Sequence, residues 1–207
     1  MLRFAKWTSI SLLFSVASIG NAAASGWQHI GNVQSVEKLT DGVELTAGLA
    51  KVRITAFRDG VIRVRLAPQG SFPKDFSWAV IETPEPLAVT IEDSQNELRM
   101  TAGRIVVLVN KTPLLITFAD ATGKILLADE PSLPMAWDGT YIQSWKRMPP
   151  EEGYYGLGDK PGPMNHRNRA YTMWNTDFFG WQESDDPLYK DIPFFIGLNK
   201  GTAYGLF

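Results

Sequence analysis

Apolar side chains recur in this chain at every second position, in runs too short for helices, and that alternation restricts the fold more than any other feature of the sequence. Val52, Ile54 and Ala56 fall on one side of an extended segment, with Lys51, Arg53 and Thr55 on the other. Asp59-Gly60 follows, a dipeptide that supplies the positive dihedrals of a tight hairpin, and Ile62, Val64 and Leu66 then alternate with Arg63 and Arg65. The two runs are expected to pair as a β-hairpin with one wet face. Further apolar runs lie at Trp78–Ile81, Leu87–Ile91, Leu98–Ala102, Arg104–Val109, Leu114–Ala119 and Ile125–Ala128. Turn formers break nearly all of them, among them Thr83-Pro84-Glu85-Pro86, Lys111-Thr112-Pro113 and Asp120-Ala121-Thr122-Gly123. Strands at spacings of roughly 8 to 12 residues, without sustained helical periodicity, predict an all-β protein, a two-sheet antiparallel β-sandwich. Pro131 to Gly153 is rich in proline, tryptophan and charge, and is expected to be a crossing loop within the domain.

The first residues read differently. Arg3 and Lys6 precede an apolar run from Trp7 to Ile19, and the small residues Ala22-Ala23-Ala24 close it. That order predicts a secretory signal peptide over residues 1–24. The run is shorter than the roughly 20 residues a membrane-spanning helix needs. The mature chain is therefore expected to be exported, periplasmic or secreted, with no membrane association once the signal is removed. Removal after about Ala24 leaves about 180 residues, 25–207, enough for one domain with a core of its own.

No cysteine is present, so packing must supply the stability that disulfides give many exported domains. A net charge of −2 with scattered lysines and arginines gives no footprint for a phosphate backbone, and nucleic acid is not an expected partner. His29 and His166 are the two histidines. They cannot build a zinc site of the usual nitrogen and sulfur ligands, and neither adjoins a Gly-x-Ser-x-Gly elbow. No metal and no cofactor are expected. Gly156-Leu157-Gly158 lacks the third glycine of a dinucleotide loop and is followed by Pro161 and Pro163, so it is expected to be a glycine-rich bend between strands.

Carboxylates are the remaining source of chemistry, and Asp159, Asp177, Glu183, Asp185, Asp186 and Asp191 gather near the end of the chain. Glycosidases work with two such groups placed across the scissile bond. Nothing in the sequence marks a desolvated general acid, and Asp185-Asp186-Pro187 is expected to be a solvated loop. No catalytic residue is assigned. The stretch Met173-Trp174-Asn175-Thr176-Asp177-Phe178-Phe179-Gly180-Trp181 has two readings. Its rings and carboxylate suit a sugar, whose hydroxyls bond to a carboxylate and whose faces stack on aromatics. Alternatively it is a sandwich strand that buries Trp174 and leaves Asp177 in a turn.

Several segments resemble the N-terminal domain of glycoside hydrolase family 31, the α-glucosidase and α-xylosidase family. They are Gly156-Leu157-Gly158-Asp159, Met173-Trp174-Asn175-Thr176-Asp177, Asp186-Pro187-Leu188-Tyr189-Lys190, Ile192-Pro193-Phe194-Phe195 and Tyr204-Gly205-Leu206-Phe207, in that order. Phe57–Arg65 and Ser77-Trp78-Ala79-Val80 are similar to the same domain's early strands. The resemblance implies a galactose-mutarotase-like β-sandwich that packs against a (β/α)8 barrel following it in sequence. That barrel is not contained in these 207 residues, and the domain is expected to be truncated at its C-terminal end. In the family, both catalytic aspartates sit on barrel strand ends and hydrolysis retains the anomeric configuration. The sandwich lends a loop to the rim of the active site, which assigns Asp177 as a substrate contact flanked by Phe178 and Phe179. The implied partners are an α-linked oligosaccharide or glycoside and the chain's own downstream barrel. Asp159 departs from the family, which more often has glutamate there, and Met164–Arg169 is only loosely like its pattern. A different class of function, an autonomous carbohydrate-binding or structural sandwich, is the alternative.

Overall fold

The alternating runs become strands whose apolar sides face inward. The computed structural model describes residues 26–85 and 87–207, and the signal peptide expected over residues 1–24 lies outside the described residues. β1 (Gln28–His29) opens the described chain. β2 (Ser35–Lys38), β3 (Gly42–Ala47), β4 (Ala50–Arg58) and β5 (Val61–Ala67) follow as a four-stranded antiparallel meander. A second meander of five strands contains β6 (Thr90–Asp93), β7 (Glu97–Ala102), β8 (Ile105–Lys111), β9 (Leu114–Asp120) and β10 (Ile125–Ala128). β11 (Ala136–Asp138) and β12 (Tyr141–Gln143) join β1 in a small sheet. β13 (Gly153–Gly158), β14 (Asp191–Asn199) and β15 (Thr202–Leu206) make a last three-stranded sheet. Every strand pair is antiparallel, and no helix occurs among the described residues.

The two larger sheets share one core, which makes them a sandwich. Leu45, Val52 and Ile54 from the four-stranded sheet cluster with Leu98, Met100 and Val107 from the five-stranded one, all fully buried. Each such side chain contributes roughly 1.5–3 kcal/mol of transfer free energy. Ile30, Met135 and Trp137 join the same cluster from the β1–β11–β12 sheet and its approach. The sheets are also tied at their turns, where Asp59 Oδ1 accepts the Arg104 N–H at 3.1 Å.

The outer face of the four-stranded sheet is charged, and a strap lies across it. Glu44 sits directly opposite Arg53 in register and is 6% exposed, with Arg53 Nε at 3.0 Å and Lys51 Nζ at 2.6 Å. Those hydrogen bonds from Lys51 and Arg53 hold its carboxyl below the usual range, against the opposing effect of burial. Arg63 takes Asp75 through two bonds of 2.6 and 2.7 Å, and Arg65 reaches the Pro73 carbonyl. The Phe72 ring lies under both Arg53 and Arg65.

Three local expectations need correction. Trp78–Ile81 is not a strand: Ser77 Oγ accepts the N–H groups of Ala79 and Val80, a local turn that takes donors a ladder would use. In the Leu87–Ile91 run, strand begins only at Thr90. Pro131–Gly153 does cross between sheets but contains β11 and β12, and it is anchored by the buried Asp129, which accepts from Ile116 N and Lys146 Nζ. The β4–β5 hairpin forms around Asp59-Gly60 as expected, although only Gly60 takes positive φ, and a register shift between Ala56 and Arg58 absorbs the difference.

Candidate functional site

The loop from Asp159 to Lys190 leaves the sheet at the end of β13 and returns at the start of β14, where Gly158 pairs with Asp191. The glycines make this root possible. A Cβ on Gly158 would lie 2.0 Å from the Lys190 carbonyl oxygen, and Gly158 and Leu157 both hold positive φ. The expected glycine-rich bend is therefore a bulge at which two strands approach too closely for a side chain.

No strand or helix forms between residues 159 and 190, so side chains must fix the loop. Lys160 does most of this. Its side chain is fully buried, and the ammonium donates to Asp186 Oδ1 at 2.6 Å, to Asp191 Oδ1 and to the Thr172 carbonyl at 3.0 Å. The Tyr171 ring lies 5.3 Å from it. Burial disfavours the charge, but the bonds to Asp186 and Asp191 outweigh that and raise the Lys160 pKa. Asp186 is shifted the other way: burial opposes its charge, and the Lys160 and Thr172 bonds overcome it and lower its pKa. The remaining carboxylate oxygens hold backbone, Asp186 Oδ2 taking Thr172 N and Asp191 Oδ2 taking Trp174 N at 2.9 Å. Asn175 Oδ1 accepts Asp191 N at 2.7 Å, and Thr176 N donates to the Leu188 carbonyl.

A second knot secures the near side of the loop. His166 is buried, its Nδ1 2.7 Å from the Tyr171 hydroxyl and its N–H bonded to the Tyr154 carbonyl. Burial lowers its pKa and favours the neutral ring. Arg167 Nη1 donates to the Pro149 and Glu152 carbonyls at 2.6 and 2.8 Å. The buried Glu152 carboxylate accepts the Tyr154 hydroxyl at 2.8 Å, and burial followed by that carboxylate pushes the Tyr154 pKa up.

Between these anchors the segment 173–181 stands out from the sheet. Asp177 is exposed, as are Phe178 and Phe179, the latter 99% accessible. Trp174 is 71% accessible and lies on irregular backbone, which excludes the strand that would have buried it. Tyr189 donates its hydroxyl to the Phe178 carbonyl and fixes the backbone beside Asp177. Asp177, Phe178 and Phe179 thus share one short exposed turn of chain, whereas Asp186 and Asp191 are taken up by Lys160. The expectation of a solvated loop at Asp185-Asp186 fails for Asp186, whose side chain is 18% exposed and bonded on both oxygens. Lys160 went unrecognised in the sequence because its partners lie 26 and 31 residues away, a distance at which no local pattern signals contact.

A further feature is the outer face of β14. Ile192, Phe194, Ile196 and Leu198 alternate along it, each between 38% and 49% accessible, while Phe195 on the opposite face packs edge-to-face with Tyr154 and Tyr204. One side of this sheet carries that aromatic cluster and the other is an open apolar stripe.

Residues 51–207 match the family described as the glycosyl hydrolase 31 N-terminal galactose mutarotase-like domain. Alpha-glucosidase 2 of Bacillus thermoamyloliquefaciens is 28% identical over 77% of this chain and 20% of its own length. An alpha-xylosidase of Emericella nidulans is 25% identical over 80% of this chain and 24% of its own. A solved structure of the family 31 dextranase of Flavobacterium johnsoniae, in complex with isomaltotriose, superposes with a TM-score of 0.77 at 28% identity, covering 82% of this chain and 21% of that one. The chain therefore spans about a fifth to a quarter of the length of these two relatives. Matched over most of its length and built as an all-β sandwich, the chain belongs to the N-terminal galactose mutarotase-like domain family of glycoside hydrolase 31.

Proposed function

We propose that this domain is the front portion of an exported, retaining α-glycosidase that removes terminal α-linked sugars, and that it supplies substrate contacts and not the reacting carboxylates. In this reading the nucleophile and the acid/base aspartate belong to a (β/α)8 barrel that follows the domain, with the pair roughly 5 to 5.5 Å apart as retention requires. The open stripe of Ile192, Phe194, Ile196 and Leu198 is the surface that barrel covers, since a contiguous half-exposed apolar row calls for a partner. Asp177 accepts hydroxyl protons of the bound sugar, and Phe178 and Phe179 flank it. The observation that carries the reading is the contrast within the loop: rings and a carboxylate held outward on a backbone pinned by a buried ion cluster.

Such a contact matters because a hydrogen bond to a charged acceptor contributes roughly 1.5–3 kcal/mol, and a bond to a part of the substrate away from the scissile linkage helps orient it. Asp177→Ala in the full-length enzyme should lower kcat/KM for maltose by at least about tenfold, or roughly 1.4 kcal/mol. Unchanged kinetics would remove Asp177 from the site. A second reading, an autonomous sugar-binding module, draws on the exposed Trp174 and Phe179 as stacking surfaces. Titrating the 207-residue chain with maltose and isomaltose separates the two. Saturable binding at about millimolar concentration favours the module, and none favours a domain that needs the barrel.

A further inference from the structure

A sugar contact borne on a long irregular loop needs its backbone held to within a fraction of an ångström. Loops of this length without secondary structure ordinarily sample many conformations. We infer that Lys160 is the positioning residue for Asp177, acting through Asp186 and Asp191 on the backbone that immediately precedes it; this rests on the reading of Asp177 as a sugar contact.

The geometry runs in a connected path. An ammonium has three donors, and all three are taken: Asp186, Asp191 and the Thr172 carbonyl. The two carboxylates each hold a further backbone N–H, those of Thr172 and Trp174. Asn175 then takes the N–H of Asp191, and Thr176 bonds to Leu188. Residues 172, 174, 175 and 176 are thereby bonded to Lys160's partners or to the strand-entry segment that carries them, and Asp177 is the next residue. Lys160 lies two residues past the end of β13 and Asp191 is the first of β14, so the whole path is referred to the rigid sheet.

Charge explains why lysine stands there. Two carboxylates, with side chains 18% and 2% exposed, face one another across the ammonium. Without it they repel in a poorly solvated site, and either one takes up a proton or the loop opens to water. In the first case the bond to Thr172 or to Trp174 loses its ionised acceptor, and in the second both bonds are given up to water. Methionine at position 160 keeps most of the side-chain volume and removes the charge, which isolates the electrostatic role from packing.

The test is a double-mutant cycle in the full-length enzyme together with amide hydrogen exchange. With maltose as substrate, Lys160→Met should lower kcat/KM by about tenfold or more, and combining it with Asp177→Ala should cost no more than about threefold beyond Asp177→Ala alone. Residues 172–180 should exchange at least about tenfold faster in Lys160→Met, while β3, β4, β7 and β8 keep their protection. Losses that multiply in the double variant, or exchange at 172–180 that matches the wild type, would overturn the inference. If Asp177→Ala alone is silent, the sugar-contact reading falls, and the exchange rates still decide whether Lys160 positions the loop. Should Lys160→Met not fold, Asp186→Asn, which weakens the same bonds while keeping the ammonium, is expected to show the same exchange pattern at smaller amplitude; wild-type rates there would overturn it equally.

Discussion

The sandwich core and the β13–β14 loop are held by different forces. Between the two large sheets, Leu45, Ile54, Leu98 and Met100 are wholly buried among other apolar groups, so the core depends on contact area and responds weakly to pH. The loop buries few apolar side chains, Leu188 among them, and is fixed instead by Lys160, two carboxylates, His166 and a series of bonds to backbone. Apolar burial is non-directional, whereas each of the three bonds of the Lys160 ammonium needs its own acceptor in place. The fold therefore combines a generic support with one segment whose placement is specified atom by atom, and that segment carries the exposed carboxylate.

Perturbing each region separately should keep the two behaviours apart. The largest effect belongs to the core: Leu98→Ala should cost about 2–5 kcal/mol of global stability, seen as a lower urea midpoint with an unchanged slope. Gly158→Ala, whose new methyl meets the Lys190 carbonyl, should cost about 1–3 kcal/mol at the root of the loop. Hydrogen exchange should then rise over residues 159–190 with little change in β7 and β8. Acidification comes next. Asp186 has a lowered pKa in the folded state, so its contribution is complete above the unfolded value of about 3.9 and is lost as pH falls through the folded one. His166, also lowered, begins to oppose the fold as pH drops below about 6.5. Lys160 is raised, so its contribution holds below about 10.4 and is lost only as pH climbs through its folded value. Tryptophan fluorescence from Trp174 and Trp181 should change on the acid side before near-ultraviolet circular dichroism reports loss of the sandwich; a single joint transition would contradict the separation. The smallest effect is expected on the surface strap, where Arg63→Ala breaks an exposed pair and should cost at most about 1 kcal/mol.

How legible these regions are in the sequence follows the same division. Strands β4, β5, β7, β8, β9 and β10 announce themselves because alternation and turn residues are local signals, and each apolar position at Val52, Ile54, Leu98 and Met100 is buried as its period predicts. Trp78–Ile81 misleads because apolar content alone does not make a strand without an edge to pair with. β11 and β12 are three residues each, too short to establish a period. In the loop, the run Met173–Trp181 is visible as chemistry but not as conformation, since its exposure depends on anchors elsewhere. Asp186 looks solvated beside Asp185 because its counterion, Lys160, is adjacent only in space.

Hydrogen exchange of the full-length enzyme with and without the non-hydrolysable sulfur-linked analogue of maltose tests the account most directly, because it asks whether this loop touches sugar. Saturating ligand should slow exchange over residues 172–181 by at least about tenfold and leave β3, β4, β7 and β8 unchanged. Ligand binding that leaves residues 172–181 at their unliganded rates would contradict it.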